Sequence, residues 1–477
     1  MYKMSEKIKY LHLYILIFMI ISQAYLYSHV YRNSPDFAVT GERSFTIIAA
    51  NLYSDGKYSL GERDSGNNLI TTTWRTPVFP IIYYAIYTMV GVGETANEIV
   101  RIIFLLFNMA TIYMVYRIGN IFNYYTGCTA ALLAIFDLSS FSWANNYEYP
   151  DTMLAFLMTL FLYYIIKFVQ VNNSYLYILL SSFFLGMAAL TKPVAYLLSL
   201  AIVLFLLLYL HKRKRFNMRK MFMCIMLFMS FQVVFVGGWK IRNYYATGNS
   251  DITSLQGQHL LFYNAAYLKA YQDGIPFVEA SSGLSKKYLI IAHREGLSKA
   301  DASTYYSNTA KNIIMSSLKD YLIVVFKRVP KLLLNSPPPE FLYSRADRDE
   351  LRRELKIKDF GDIGSTVPAL KILWFNGHFR SFVFLWGFIK GHLMLIYLMS
   401  LLGIILMFKN KHDKWILFLM LIILVYFIGL SSPVSHDRYR APIMPVFYFL
   451  SGYCVTCLLG TVFLYNKKRI ERCKRSL

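Results

Sequence analysis

The chain has 477 residues, 56% of them hydrophobic and 17% aromatic, with a formal net charge of +23. Soluble domains are about 45–50% apolar and lack repeated apolar runs of about eighteen residues, so the composition excludes a soluble globular protein. The basic residues fall in short blocks beside the apolar runs: KRKR at 212–215, KNKHDK at 409–414 and NKKRIERCKR at 466–475. That pattern belongs to topology signals among anionic lipids and excludes nucleic acid as the partner.

Read in chain order, the sequence predicts an all-α polytopic membrane protein with about ten spans: 9–30, 98–117, 124–142, 151–170, 175–191, 193–211, 221–239, 386–408, 415–431 and 442–465. The first run lacks a small-x-small cleavage site and reads as an anchor. The run VFPIIYYAIYTMVGVG (78–93) is too short to cross comfortably. Counting it as a span would also put MYKMSEKIK and KRKR on opposite sides, against the positive-inside rule, so it reads as an interfacial helix on the outer face. The resulting organisation is an N-terminal anchor (1–30), a first outer segment (31–97), six further spans (98–239), a large outer segment (240–385) and C-terminal spans with a basic inner tail (386–477). Helical patterns appear in the outer segments at SFTIIAANLY (44–53) and over 298–326, and SPPPE (336–340) marks a loop.

Five cysteines, Cys128, Cys224, Cys454, Cys457 and Cys473, lie in apolar runs or the basic tail and outline no disulfide framework. The CxxC at 454–457 has no companion ligands and reads as helix packing. No internal repeat is visible.

With this topology the unusual polar groups share one membrane face. Asp36, Glu42 and Arg75 lie in the first outer segment. Glu148 and Asp151 precede and open the fourth span, and Lys192 occupies the turn LTKPVA. Arg242 follows the seventh span, and His436, Asp437, Arg438, Tyr439 and Arg440 fill SHDRYRAPIMP. Lys and Arg are disfavoured in short outer loops, so Lys192, Arg242, Arg438 and Arg440 point to an anion, with phosphate the fitting choice. Carboxylates beside such a site suit a general base acting on an acceptor. Each residue also has a plainer role: Asp151 as a helix cap, Lys192 and Arg440 as snorkelling interfacial cations, His436 as a loop histidine, and Asp137 as a hydrogen-bonded structural group.

The order of motifs resembles the bacterial polyprenyl-phosphate-sugar-dependent membrane glycosyltransferases of the GT-C fold, the group of protein O-mannosyltransferases and lipid A aminoarabinose transferases. The segments that carry the resemblance are GERSFTIIAANLYSDGKYSL, WRTPVFPIIYYAIYTMVG, the Asp151 span entry, GMAALTKP, WKIRNYYATG and RYRAPIMP, and the resemblance as a whole covers about residues 9–465. One departure is that Gly41 replaces the first acid of the family's usual Asp-Glu pair. The resemblance implies transfer of a sugar from a polyprenyl-phosphate-linked donor to a glycan, lipid or protein acceptor, at the outer face of a bacterial inner membrane. It implies Glu42 or Asp36 as base and Asp151 as its partner, in some relatives with a divalent cation. Arg75, Lys192, Arg242 and Arg438 would grip the donor phosphate, with His436, Tyr439 and Arg440 as further site candidates. Two alternatives from the residues alone are an O-antigen polymerase or ligase, and a flippase of lipid-linked sugars. The second would favour mid-membrane charges and inverted repeats.

Overall fold

The computed structural model describes residues 10–33, 43–145, 149–212, 217–335, 346–347, 350, 353, 380–410 and 414–475. Asp36, Glu42, Glu148 and SPPPE lie outside them. Among the described residues the protein is all helical, with no strand beyond a single bridge between Arg63 and Leu69.

The chain enters through α1 (Leu11–Asn33). The first outer segment holds α2 (Ser44–Asp55) and α3 (Val78–Val90), as the sequence predicts. At a rise of about 1.5 Å per residue, α3 is far shorter than a bilayer core. Next come α4 (Glu94–Phe122), then α5 (Tyr124–Ile135) and α6 (Leu138–Asn145), which together make a pair bent by 59°. The bend sits at Asp137. Its carboxylate accepts from Ser139 N (2.9 Å) and Tyr448 Oη (2.5 Å), so this acid is consumed by structure.

Three antiparallel helices follow: α7 (Asp151–Gln170), α8 (Tyr175–Thr191) and α9 (Leu198–Lys212). The continuous segment Met218–Thr247 comprises α10 (Met218–Phe231), a π turn and α11 (Gly238–Thr247). The segment expected on the outer face, called the outer domain below, stacks α12 (Leu255–His259), α13 (Ala266–Asp273), α14 (Phe277–Arg294), α15 (Lys299–Ser316) and α16 (Leu318–Leu334). Its own core is built on Leu261, Phe262, Ala266, Leu284 and Tyr306. α12 and α15 approach so closely that a Cβ on Gly257 would fall 2.0 Å from Ser303 O. The fold closes with α17 (Arg380–Lys409), α18 (Lys414–Ser431) and α19 (Met444–Arg475).

Among the described residues eight helices are long and apolar enough to cross a membrane, and the bent pair makes nine. The tenth expected span, α8, has 17 residues and falls short by length alone. Its ends nevertheless reach both faces of its neighbour. Lys192, just past the α8 C-terminus, touches Asp151 at the start of α7, while Asn173, just before α8, donates to Phe168 O near the α7 C-terminus. Thus α8 runs the full depth beside α7. The sequence places one helix over 298–326, whereas the structure breaks it at Ser317 (φ −137°, ψ 43°), where the chain turns from α15 into α16. Serine hydroxyls compete for backbone bonds, which makes Ser316-Ser317 a weak point.

Candidate active site

The Lys192 turn is dictated locally. A residue before proline is pushed to the extended region, and Lys192 sits at φ −148°, ψ 121° with Pro193 opening a 3-10 turn, Pro193–Ala195. The buried Thr76 hydroxyl donates to Thr191 O (3.1 Å), pinning the first outer segment to this turn. Asp151 is the first residue of α7. Its helix cap is Pro150, with no side-chain cap bond, so the carboxylate is not used as a cap. A negative charge there is favoured by the helix dipole.

Arg438 comes from the 3-10 turn Asp437–Ile443. Ser435, at φ +55°, lies in the left-handed region that costs a serine roughly 1 kcal/mol. It is held by donation from Ser435 Oγ to Arg328 O (3.2 Å), and this turns the chain out of α18.

The three charges meet. Lys192 Nζ is 2.5 Å from Asp151 Oδ1, and Arg438 Nε is 3.9 Å from Asp151 Oδ2. The Asp151 side chain is 3% exposed, against 19% for Arg438 and 23% for Lys192, so the carboxylate lies behind its two cations. Tyr149 lies 3.5 Å under the Arg438 guanidinium, and Tyr439 lies 4.4 Å from Lys192 Nζ and 5.5 Å from the guanidinium. Burial pushes the Lys192 ammonium below its ordinary value; Asp151 opposes this, while Arg438 and Arg75 add to it. Among the described residues, Arg438 Nε and Nη1 and Asp151 Oδ2 are buried without a hydrogen-bond partner. Such groups cost free energy unless something fills the site. The net charge of the trio is positive, a field that favours an anion.

The other sequence candidates fall elsewhere. Arg75 lies near enough to Lys192 to depress its charge, donates from Nε to Ser44 Oγ (2.8 Å) and stacks on Phe45 at 4.6 Å. Arg242 is clasped between Tyr58 (4.9 Å) and Trp239 (4.7 Å) and donates from Nη1 to Thr72 O (2.9 Å) and Asn243 Oδ1 (3.0 Å). Its contacts brace α11 against the first outer segment and include none of Asp151, Lys192 or Arg438. Arg440 is 0% exposed and donates to Leu332 O, Leu333 O, Asn335 O and Ser139 Oγ. It is therefore enclosed in the fold and does not snorkel. His436 Nδ1 pairs with Asp437 Oδ1 at 2.6 Å, and Asp437 Oδ2 accepts from Trp143 Nε1 at 2.9 Å. His436 sits at the rim, its ring 5.7 Å from Tyr439. Sequence reasoning missed Tyr149 and the Thr76 tie; the only signal for Tyr149 was an aromatic two residues before Asp151.

Among the described residues no group of three or more His, Cys, Asp or Glu forms a metal site. Asp151 faces two cations, and this donor set does not fit a divalent ion. Asp36 and Glu42 lie outside the described residues.

Residues 75–239 match the family model of dolichyl-phosphate-mannose-protein mannosyltransferases. That stretch contains Arg75, Asp151 and Lys192 and stops before Arg242 and Arg438. None of the curated proteins matches the chain. Among solved structures, the archaeal oligosaccharyltransferase AglB from Archaeoglobus fulgidus, in complex with an inhibitory peptide and a dolichol-phosphate, is similar at 12% identity and TM-score 0.52. That alignment covers 98% of this chain and 52% of AglB. The apo form of the Archaeoglobus fulgidus enzyme gives TM-score 0.55 at 11% identity, with the same coverage of 98% and 52%. ArnT from Cupriavidus metallidurans bound to undecaprenyl phosphate is 12% identical over 92% of this chain and 77% of ArnT, at TM-score 0.38, too low to bear on the fold. The chain spans about half the length of the oligosaccharyltransferase structures it matches. It is an integral membrane protein of GT-C fold, as the motifs imply, and its likeness to the mannosyltransferase family lies in residues 75–239.

Proposed function

We propose that this protein is a membrane glycosyltransferase that moves a sugar from a polyprenyl-phosphate-linked donor to an acceptor at the outer face of a bacterial inner membrane. The observation that carries this reading is the Arg438 guanidinium, held beside Lys192 and Asp151 with buried N–H groups unpartnered. The dolichol-phosphate in the AglB complex and the family description support a lipid-linked donor.

In this reaction an acceptor hydroxyl or amine attacks the anomeric carbon, the carbon–oxygen bond to phosphate breaks, and polyprenyl phosphate leaves. Arg438 and Lys192 hold the phosphate and stabilise the charge that develops on it. Asp151 orients these two cations when the site is empty and shares them with the phosphate when it is full. Arg75 adds positive charge behind Lys192. Glu42 or Asp36 takes the acceptor proton, and Arg242 serves from a distance by holding α11 and the first outer segment together. Tyr439 and His436 line the rim where the acceptor arrives.

The test is turnover of purified protein in lipid vesicles with a panel of polyprenyl-phosphate hexoses and pentoses, following release of polyprenyl phosphate. Release that depends on Arg438 and Asp151 is expected. Transbilayer movement of the lipid-linked sugars with no sugar released would replace the reading with a transporter.

A further inference from the structure

One face of α16 is unlike any other helix face in the outer domain. Leu318, Leu322, Phe326, Pro330 and Leu334 recur every four residues, and all are exposed, Phe326 to 73%. Residues at this spacing lie one above another along a helix. Immediately beside the stripe runs a row of exposed lysines, Lys319, Lys327 and Lys331. The opposite face is buried in the protein through Val324, Val325 and Leu332.

We infer that α16 lies on the outer leaflet of the bilayer, its apolar stripe in the acyl region and its lysines at the phosphates of anionic lipids. An apolar stripe edged along its length by lysines is the build of an interfacial helix, whose cationic ends reach the headgroups while their stems cover apolar surface. The position of the helix agrees. Its C-terminal end is anchored on a spanning helix, since Tyr397 of α17 donates to Leu333 O at 2.9 Å. Its N-terminal half is roofed by the outer domain, through Tyr321 Oη to Asn264 Oδ1 (3.0 Å) and Gln272 Nε2 to Asp320 Oδ2 (2.9 Å). Lys327 Nζ rests over the Tyr271 ring at 4.6 Å, an amphipathic pair suited to headgroup depth. The stripe thus ends beside α17, whose own exposed residues include the apolar Phe388, Leu395 and Leu398.

The contact has a consequence for the site. α16 is the helix that holds the 432–440 loop, through Arg440 to the carbonyls of Leu332, Leu333 and Asn335, through Ser435 to Arg328 O, and through Arg328 to Val434 O. Seating α16 on the bilayer therefore sets the position of the segment that carries Arg438. This surface does not depend on which reaction the site performs.

The test uses the wild-type protein in vesicles of phosphatidylcholine and phosphatidylglycerol whose acyl chains carry a diazirine. After photolysis, adducts are mapped by mass spectrometry. Adducts on Leu322 and Phe326 and none on Val324 or Val325 are expected. Their yield should fall several-fold in phosphatidylcholine alone, while adducts on exposed span residues such as Phe408 stay constant. An unlabelled stripe beside labelled spans would overturn the inference, because another protein surface would then cover it. Equal yields with and without phosphatidylglycerol would overturn the anionic-lipid part. As a second arm, replacing Lys319, Lys327 and Lys331 by glutamine should erase the phosphatidylglycerol dependence, and retention of it would contradict the proposal.

Discussion

Arg438 and Arg440 stand two residues apart on one 3-10 turn and have opposite fates. Arg440 is enclosed, and both its terminal nitrogens are spent, Nη1 on the carbonyls of Leu332, Leu333 and Asn335 and Nη2 on Ser139 Oγ, with Nε alone left unpartnered among the described residues. Arg438 keeps Nε and Nη1 unpartnered among the described residues and faces a carboxylate it does not fully reach. What a buried cation does is read from what its N–H groups already hold. By that criterion Arg440 and Arg242 act as braces, and Arg438, with Lys192 beside it on the shared Asp151, is the cation we assign to the proposed site.

The largest expected effect is on folding. Arg440→Ala strands backbone carbonyls of α16 and leaves a hole at the junction of α6, α16 and the 3-10 turn. Removing one side of a buried charged network costs about 3–5 kcal/mol. Little folded protein is expected, and a thermal melt in detergent matching wild type would break the contrast with Arg438.

Arg438→Ala is the counterpart. The melt should stay close to wild type while transfer falls about a hundredfold or more. Charge-assisted hydrogen bonds contribute about 1.5–3 kcal/mol each, and two are lost. Arg438→Lys should recover part of this, because an ammonium cannot make the paired bonds of a planar fork. Equal losses of stability in the Arg438 and Arg440 alanine variants would erase the distinction.

Asp151→Asn sharpens the comparison from the carboxylate side. Freed of their counter-ion, Lys192 and Arg438 should bind polyprenyl phosphate at least as well as in wild type. Transfer should still fall, because the cations are no longer held in register. A variant that binds the phosphate tenfold more weakly would show that Asp151 does not compete with it.

Smaller effects separate the two remaining cations. Arg242→Ala should lower stability by about 1–2 kcal/mol, through loss of its stacking and backbone bonds, with donor KM unchanged. A raised donor KM with an unaltered melt would return Arg242 to the phosphate. For Lys192 the sign of the pH effect is fixed by its depressed ammonium. It is charged below its folded-state pKa and discharges as pH rises through it, earlier than an ordinary lysine at about 10.4. Donor KM should therefore climb on the alkaline side, and Lys192→Arg should flatten that climb. A flat wild-type profile would contradict the placement.

Much of this was legible in the sequence, for physical reasons. Apolar runs mark the long spanning helices, because hydrophobic thickness constrains their length directly. The residue before Pro193 had to be extended, and a short turn had to display Lys192. The span opening at Asp151 was equally readable. The separate fates of Arg438, Arg440 and Arg242 were not, since each depends on carbonyls or rings brought from over a hundred residues away, Tyr149 for Arg438, Asn335 for Arg440, and Tyr58 and Thr72 for Arg242. The break at Ser317 was hidden because strong helix patterns run on both sides of it. The short length of α8 was visible, but only its end contacts reveal that it runs the length of α7.

The most direct test of the central claim is the affinity of the purified protein for undecaprenyl phosphate, titrated by native mass spectrometry for wild type, Arg438→Ala and Arg242→Ala in one detergent. The account predicts saturable binding by wild type, at least about tenfold weaker binding by Arg438→Ala, and no change for Arg242→Ala. Wild-type affinity retained in Arg438→Ala would contradict it.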